Sequence, residues 1–216
     1  MNIPAPPGVD SRLFEVAMEF MEFTHGLWGA YLDALGGLRC VRERLVEFQN
    51  AKIAELKGKD AAQTSEEFMD TQTLSHEFEA TTEEPQRLLQ RSTQGDFKRR
   101  TAVDGPDARL LGYMMTALLY GAWEDVYRLK LALALGHSEK NALQSDLFDD
   151  LRQLRHAIVH HAGIATEKVE RSKTLRWFRH GELMFITSDQ VDALYHAIDN
   201  YITELCGIPQ ELIPQV

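Results

Sequence analysis

Cysteine is scarce in this chain of 216 residues; Cys40 and Cys206 are the only two. Two thiols supply neither a disulfide framework nor a metal knuckle. They are expected as buried or half-buried free thiols, which suits a reducing cytoplasm. Long apolar runs are also missing. None approaches the roughly 20 residues that span a bilayer, so no membrane association is expected. The opening MNIPAPPGVD has no basic region leading into an apolar run, so it does not read as a signal peptide. Basic charge is in deficit. A net charge of −10 and a pI near 5.3 exclude a protein that coats nucleic acid non-specifically, because phosphate neutralisation needs a broad basic surface. A small basic site on an acidic body remains compatible with that balance. The chain shows no internal repeat, glycine-rich phosphate loop, Ser–His–Asp order, paired catalytic carboxylates or nucleotidyltransferase motif.

What is present is mostly helical rhythm. Leu13, Val16, Ala17, Phe20, Leu27, Tyr31 and Leu35 recur at helical spacing after a Ser11 cap, and Leu38, Val41, Leu45 and Phe48 resume after Gly36-Gly37. One long bent helix or two in succession are both consistent with this. His25 within it is expected to be a hydrogen-bonded structural histidine. Residues from about 58 to 106 are polar, acidic first and then basic at Lys98-Arg99-Arg100. The segment reads as an insertion or flap in a single domain spanning 1–216, with short helices around Glu66–Glu77 and Pro85–Arg91. From Ala108 to Leu135 the chain is apolar nearly all round, with Leu110, Leu111, Met114, Leu118, Val126 and Leu129 as the core stripe, which predicts a central helix or one with two buried faces. Two short strands, Thr174–Arg179 and Glu182–Thr187, are predicted as a hairpin about His180-Gly181. Thr187-Ser188-Asp189-Gln190 fits a capping box opening a last helix. The expected fold class is all-α: a helical bundle of four to five main helices with one small β-hairpin near the C-terminus.

The most informative stretch is SDLFDDLRQLRHAIVHHAG, Ser145 to Gly163. At about 100° per residue, Leu147, Leu151, Leu154 and Ile158 fall within a stripe about 60° wide. Asp149, Arg152, Gln153, His156 and His160 gather opposite, with Arg155 on the flank and His161 beside the apolar stripe. Gly163 suits the stop. Downstream, Lys168, Arg171, Lys173, Arg176 and Arg179 make the most basic part of an acidic chain, either a solubilising surface or a phosphate-facing wall.

Arg155-His156-Ala157-Ile158-Val159-His160, late in an α-bundle and preceded by Trp123-Glu124-Asp125-Val126-Tyr127-Arg128 in a long apolar helix, resembles the HEPN superfamily (higher eukaryotes and prokaryotes nucleotide-binding). Its motif is an Arg followed after four to six residues by a His. The resemblance covers roughly Ala108 to Leu205. It implies a homodimer whose motif helices face one another across a cleft, and a metal-independent endoribonuclease of the toxin, anti-phage or RNA-processing kind. Arg155 and His160 would then be catalytic and RNA the partner, joined by an antitoxin or operon partner protein. The residue after the Arg is commonly Asn in that family and is His156 here. His156, Arg152 and Asp149 are candidates to support the site or bind substrate, and Lys168, Arg171, Lys173, Arg176 and Arg179 to contact RNA.

The chemistry is coherent on its own terms. RNA carries its own nucleophile, the 2′-hydroxyl, so cleavage needs a proton acceptor, a proton donor and stabilisation of added negative charge. Histidine fills either proton role near neutrality, and the guanidinium of Arg155 suits phosphate oxygens. Arg155 and His160 lie about 140° apart on an ideal helix, so two helices related by a two-fold aim them at one phosphate better than one helix does. Two other readings stand beside this one. Arg155 could pair with Asp149 or Asp150, leaving a binding or scaffold module without activity. His156 and His160, at i and i+4, could share a metal ion, but the Glu of an H-E-x-x-H motif is absent and no third ligand stands out. No metal and no cofactor are expected.

Overall fold

The apolar rhythm from Leu13 to Phe48 produces one helix, α1 (Ser11–Leu56), in the computed structural model, which describes residues 5–57, 65–78 and 87–207. Gly36-Gly37 stays helical within it. Asp10, rather than Ser11, caps its start, its carboxylate accepting the backbone N–H groups of Arg12 and Leu13 at 2.9 Å each. Of the thiols, Cys206 is buried, which pushes it up to about 11, whereas Cys40 is exposed, contrary to expectation.

The chain divides into two compact units, residues up to Leu32 together with those from Leu111 onward, and Asp33–Leu110. The second unit contains the polar stretch expected as an insertion. It carries α2 (Glu66–Thr71), β1 (Thr73–Phe78), β2 (Arg87–Thr93) and α3 (Gln94–Arg100). The strands pair antiparallel, with Thr73 opposite Thr93 and a bulge between His76 and Glu77. Helix was expected at Glu66–Glu77, and only its first half is helical. Of Pro85–Arg91, residues 85 and 86 lie outside the described residues and the remainder is strand. The segment reads as loop in the sequence because this unit is held largely by polar groups. Gln49 is buried and donates to Asp70 and Gln94, at 2.9 Å each. Lys98, its side chain only 11% exposed, reaches Glu66 at 2.7 Å and Asp70 at 2.6 Å. Arg99 pairs with Asp96 and Arg100 with Asp107. The basic cluster is therefore the last turn of α3, each of its charges paired with a carboxylate, the Arg99 pair in solvent.

In the first unit, α4 (Pro106–Ala122, from Leu111 on) runs into a π turn (Trp123–Tyr127) and α5 (Arg128–Ala134). After a short 3-10 turn (Lys140–Ala142) come α6 (Asp146–His160), α7 (Glu167–Glu170) and α8 (Ser188–Cys206). The fold is mainly helical, as expected. Phe20, Trp123, Tyr127 and Phe148 form an aromatic core, with Trp123 and Phe148 stacked at 3.8 Å between centroids. The face of the long helix differs from expectation. Met115, Leu119, Trp123, Tyr127 and Leu131 are buried, while Met114 is 59% and Leu118 54% exposed, followed by exposed Val126, Leu129 and Leu133. A helix apolar all round offers no polar contrast to mark its inner side.

The small sheet is not at Thr174–Thr187. Residues 175–179 and 184–187 form no ladder with each other, and Ile164 instead bridges Leu183. The 163–165 segment captures the second half: Met184 donates to Gly163, and Ala165 to Glu182, both at 2.8 Å. Alternation still holds, since Leu175, Met184 and Ile186 are buried. The capping box at Thr187 and Gln190 is formed, and Gly207 closes α8 at φ 62°.

His25 is satisfied, as expected. Its Nε2 bonds the Tyr195 hydroxyl and lies 3.6 Å from the buried Asp199 carboxylate. Burial raises the Asp199 carboxyl above its usual range, against the pull of His25. The folded state thus holds this proton more tightly than the unfolded chain. That contribution to stability is full below about pH 4 and is lost as pH rises through the folded-state value. Asp199→Asn is expected to gain stability relative to wild type between about pH 4 and pH 7.5, read as the difference in urea midpoints. A difference that stays flat across that range would show that the carboxyl is not perturbed.

Candidate functional site on the Arg–His helix

Helix α6 forms because its apolar stripe has a core to enter. Leu147, Phe148, Leu151, Leu154 and Ala157 are buried. The opposite side carries Asp149, Arg152, His156 and His160, all exposed, and Arg155 is half-buried on the flank. The helix stops at His160. His161 and Gly163 both return their N–H groups to the Ala157 carbonyl, at 3.0 and 3.1 Å. Gly163 is required twice over. Its φ is +79°, and a Cβ there would overlap the phenol of Tyr113, whose hydroxyl donates to the Met184 carbonyl at 2.6 Å.

Three imidazoles converge at the end of α6. The His156 ring lies 4.8 Å from His160 and 5.3 Å from His161, between centroids. His161 is exposed and belongs to this group, rather than packing beside the apolar stripe as expected. Loss of water around the His156 ring, and then positive charge on His160, His161, Lys168 and Arg155, hold it below the usual histidine range. At neutral pH it is an uncharged ring that accepts or donates a hydrogen bond. Arg155 forms no ion pair with any carboxylate among the described residues. Asp149 pairs instead with Arg152, at 3.2 Å. Asp150 is buried and accepts the backbone N–H groups of Lys173, Thr174 and Leu175, at 3.1, 2.6 and 2.9 Å.

Asp150 plays a part that its position in the sequence does not by itself announce. By sequence it is a candidate partner for Arg155, whereas in the structure it anchors the basic segment to α6. The signal available was its position on the apolar side of the wheel, one residue before Leu151, where a carboxylate needs donors. Of the basic candidates, Lys168 stands close enough to influence His156. Arg171 pairs with Glu167 at 3.1 Å and Lys173 with Asp146 at 2.7 Å, all exposed. Arg176 donates to the Lys173 carbonyl, Arg179 donates its backbone N–H to the Glu182 carboxylate at 2.8 Å, and neither guanidinium forms an ion pair among the described residues. Among the described residues, no three potential ligand side chains are arranged to hold a metal ion, and no helix is long and apolar enough to cross a membrane.

No family model, curated protein or solved structure matches this chain.

Proposed function

We propose that this chain is a HEPN-like cytoplasmic homodimer that cleaves RNA without a metal or cofactor, using Arg155 and His160. The observation that carries the reading is the state of Arg155. Its guanidinium, beside a cluster of three histidines, is left without a carboxylate among the described residues, while both neighbouring aspartates are engaged elsewhere. A cation held back from ion pairing next to titratable rings is suited to a phosphodiester and to charge developing on it. His160 supplies a proton donor or acceptor, and His156, uncharged near neutrality, a hydrogen-bonding ring for the substrate. The exposed row Met114, Leu118, Val126, Leu129 and Leu133 supports a second copy as the occupant of that face, because a single copy leaves it in water. In the dimer, Arg155 of one α6 and His160 of the other serve the same phosphate. An effector of this kind, a toxin or defence nuclease, would be held in check by a partner protein.

The test is incubation of the purified protein with total RNA and defined tRNAs in excess chelator. Cleavage leaving 2′,3′-cyclic phosphate ends is expected, since the 2′-hydroxyl is the nucleophile. RNA bound but never cut would favour the alternative, an inactive RNA-binding or protein-interaction module.

A further inference from the structure

At the other end of the polar side of α6, a cavity of about 200 Å³ lies between the π turn and the start of the helix. Its origin is traceable. The π turn carries one extra residue per turn, closed by the Arg128 N–H bonding the Trp123 carbonyl. Arg128 then donates from Nε and a terminal nitrogen to the Leu143 carbonyl, at 3.1 and 2.8 Å, and pairs with Glu124 at 2.8 Å. Lys140 bonds both the Glu124 carbonyl and its carboxylate. These contacts tie the 140–145 connection to the long helix beside the cavity.

The lining selects its ligand. Tyr120 contributes a half-buried aromatic ring, Asn141 and Ser145 contribute hydrogen-bonding edges, and Trp123 and Phe148, buried and stacked on one another, border the cavity. The interior charges are already committed, since Arg128 and Lys140 are shared between Glu124 and carbonyl oxygens, so a phosphate finds no free cation inside. Arg152, at the rim, is bound only to exposed Asp149. The volume is below the range of about 300–1,000 Å³ that takes drug-sized ligands, which suits one ring system rather than a whole nucleotide. His156 is one turn further along the same stripe, about 6 Å in rise, and His160 about 12 Å.

We infer that this cavity is a nucleobase subsite: it seats one base of the RNA, with Arg152 on that nucleotide's phosphate, and so places the neighbouring phosphodiester at the Arg–His end of α6. The inference rests on the RNA-cleaving reading for its biological ligand, but its test does not need cleavage. The chain has three tryptophans, so the Trp123 indole N–H is assigned in a nitrogen–proton correlation spectrum by elimination, using Trp28→Phe and Trp177→Phe. The four nucleoside 5′-monophosphates, ribose 5-phosphate and inorganic phosphate are then titrated.

At least one nucleotide is expected to move the Trp123 signal saturably, and ribose 5-phosphate and phosphate are not. Tyr120→Ala should weaken that binding about tenfold or more, as loss of base stacking does, with Tyr120→Phe within about twofold of wild type. Asn141→Ala, at an exposed position, should blunt preference among the four bases and leaves the core untouched. Equal shifts with ribose 5-phosphate, or a Trp123 signal that no nucleotide moves, would overturn the subsite even if RNA is cleaved. A nucleotide-dependent shift in a protein that cuts no RNA would support the subsite and count against the nuclease reading alone.

Discussion

Arg155→Ala and His160→Ala are each expected to lower RNA cleavage by about a hundredfold or more while leaving the fold intact. The two effects have different origins. Removing the guanidinium takes away charge stabilisation where the phosphorane oxygens develop, for which a single well-placed donor is worth about 10²- to 10³-fold. Removing His160 takes away general acid–base help worth about 10²- to 10⁴-fold. Stability should change little in either case. Arg155 has no described ion pair to lose, and His160 is exposed at the last residue of α6. Thermal unfolding and sedimentation of both variants check that. His156→Asn is expected to keep much of the activity, because an uncharged hydrogen-bonding side chain replaces a ring held below the usual histidine range. Activity that survives both alanine substitutions would place the chemistry elsewhere or in a contaminant.

Asp150→Ala is expected to be the most destabilising single change among these, by about 3 kcal/mol or more. Three backbone N–H groups, those of Lys173, Thr174 and Leu175, donate to one buried carboxylate. Hydrogen bonds to a charged group are worth about 1.5–3 kcal/mol each. Deleting the acceptor leaves donors buried as well, though some gain water as the segment loosens. The segment they hold carries buried Leu175 and leads to Met184 and Ile186, so its release also exposes core. Urea denaturation reads the loss as a lower midpoint. Asp150→Asn should fall between the two proteins, since its amide oxygen still accepts but carries no charge. A midpoint for Asp150→Ala within about 0.5 kcal/mol of wild type would mean that the basic segment is not anchored there.

These two predictions also mark what was legible in the sequence. The polar side of α6, its stop before Gly163 and the Thr187–Gln190 box were readable because each is written in local periodicity and capping chemistry. The buried face of α4 and α5 was not. Met114 and Met115, or Leu118 and Leu119, are equally apolar, and only tertiary packing chooses between them. The π turn is invisible to a 3.6-residue pattern, yet it shifts the phase of everything after Trp123. The hairpin failed for another reason. Thr174–Arg179 and Glu182–Thr187 alternate as strands should, but Asp150 took the donors of one and residues 163–165 took the edge of the other. In the second unit buried Gln49 and Gln94 meet half-buried Asp70 and Lys98 beside Met69 and Phe97, and polar residues spaced along a chain do not announce that they meet. The three-histidine cluster was half visible. His156 and His160 share a face by spacing, whereas His161 joins them only because the helix ends beneath it.

A phosphate shared between two α6 helices is tested most directly by complementation between two inactive proteins. Arg155→Ala and His160→Ala chains, each silent alone, are mixed under conditions that exchange subunits, and native mass spectrometry confirms the heterodimer. One of its two composite sites then carries Arg155 from one α6 and His160 from the other, both intact. Cleavage in excess chelator is expected to return, to roughly half the wild-type rate per dimer. A confirmed heterodimer that remains silent, beside a wild-type protein that cuts, would contradict a phosphate shared between two α6 helices.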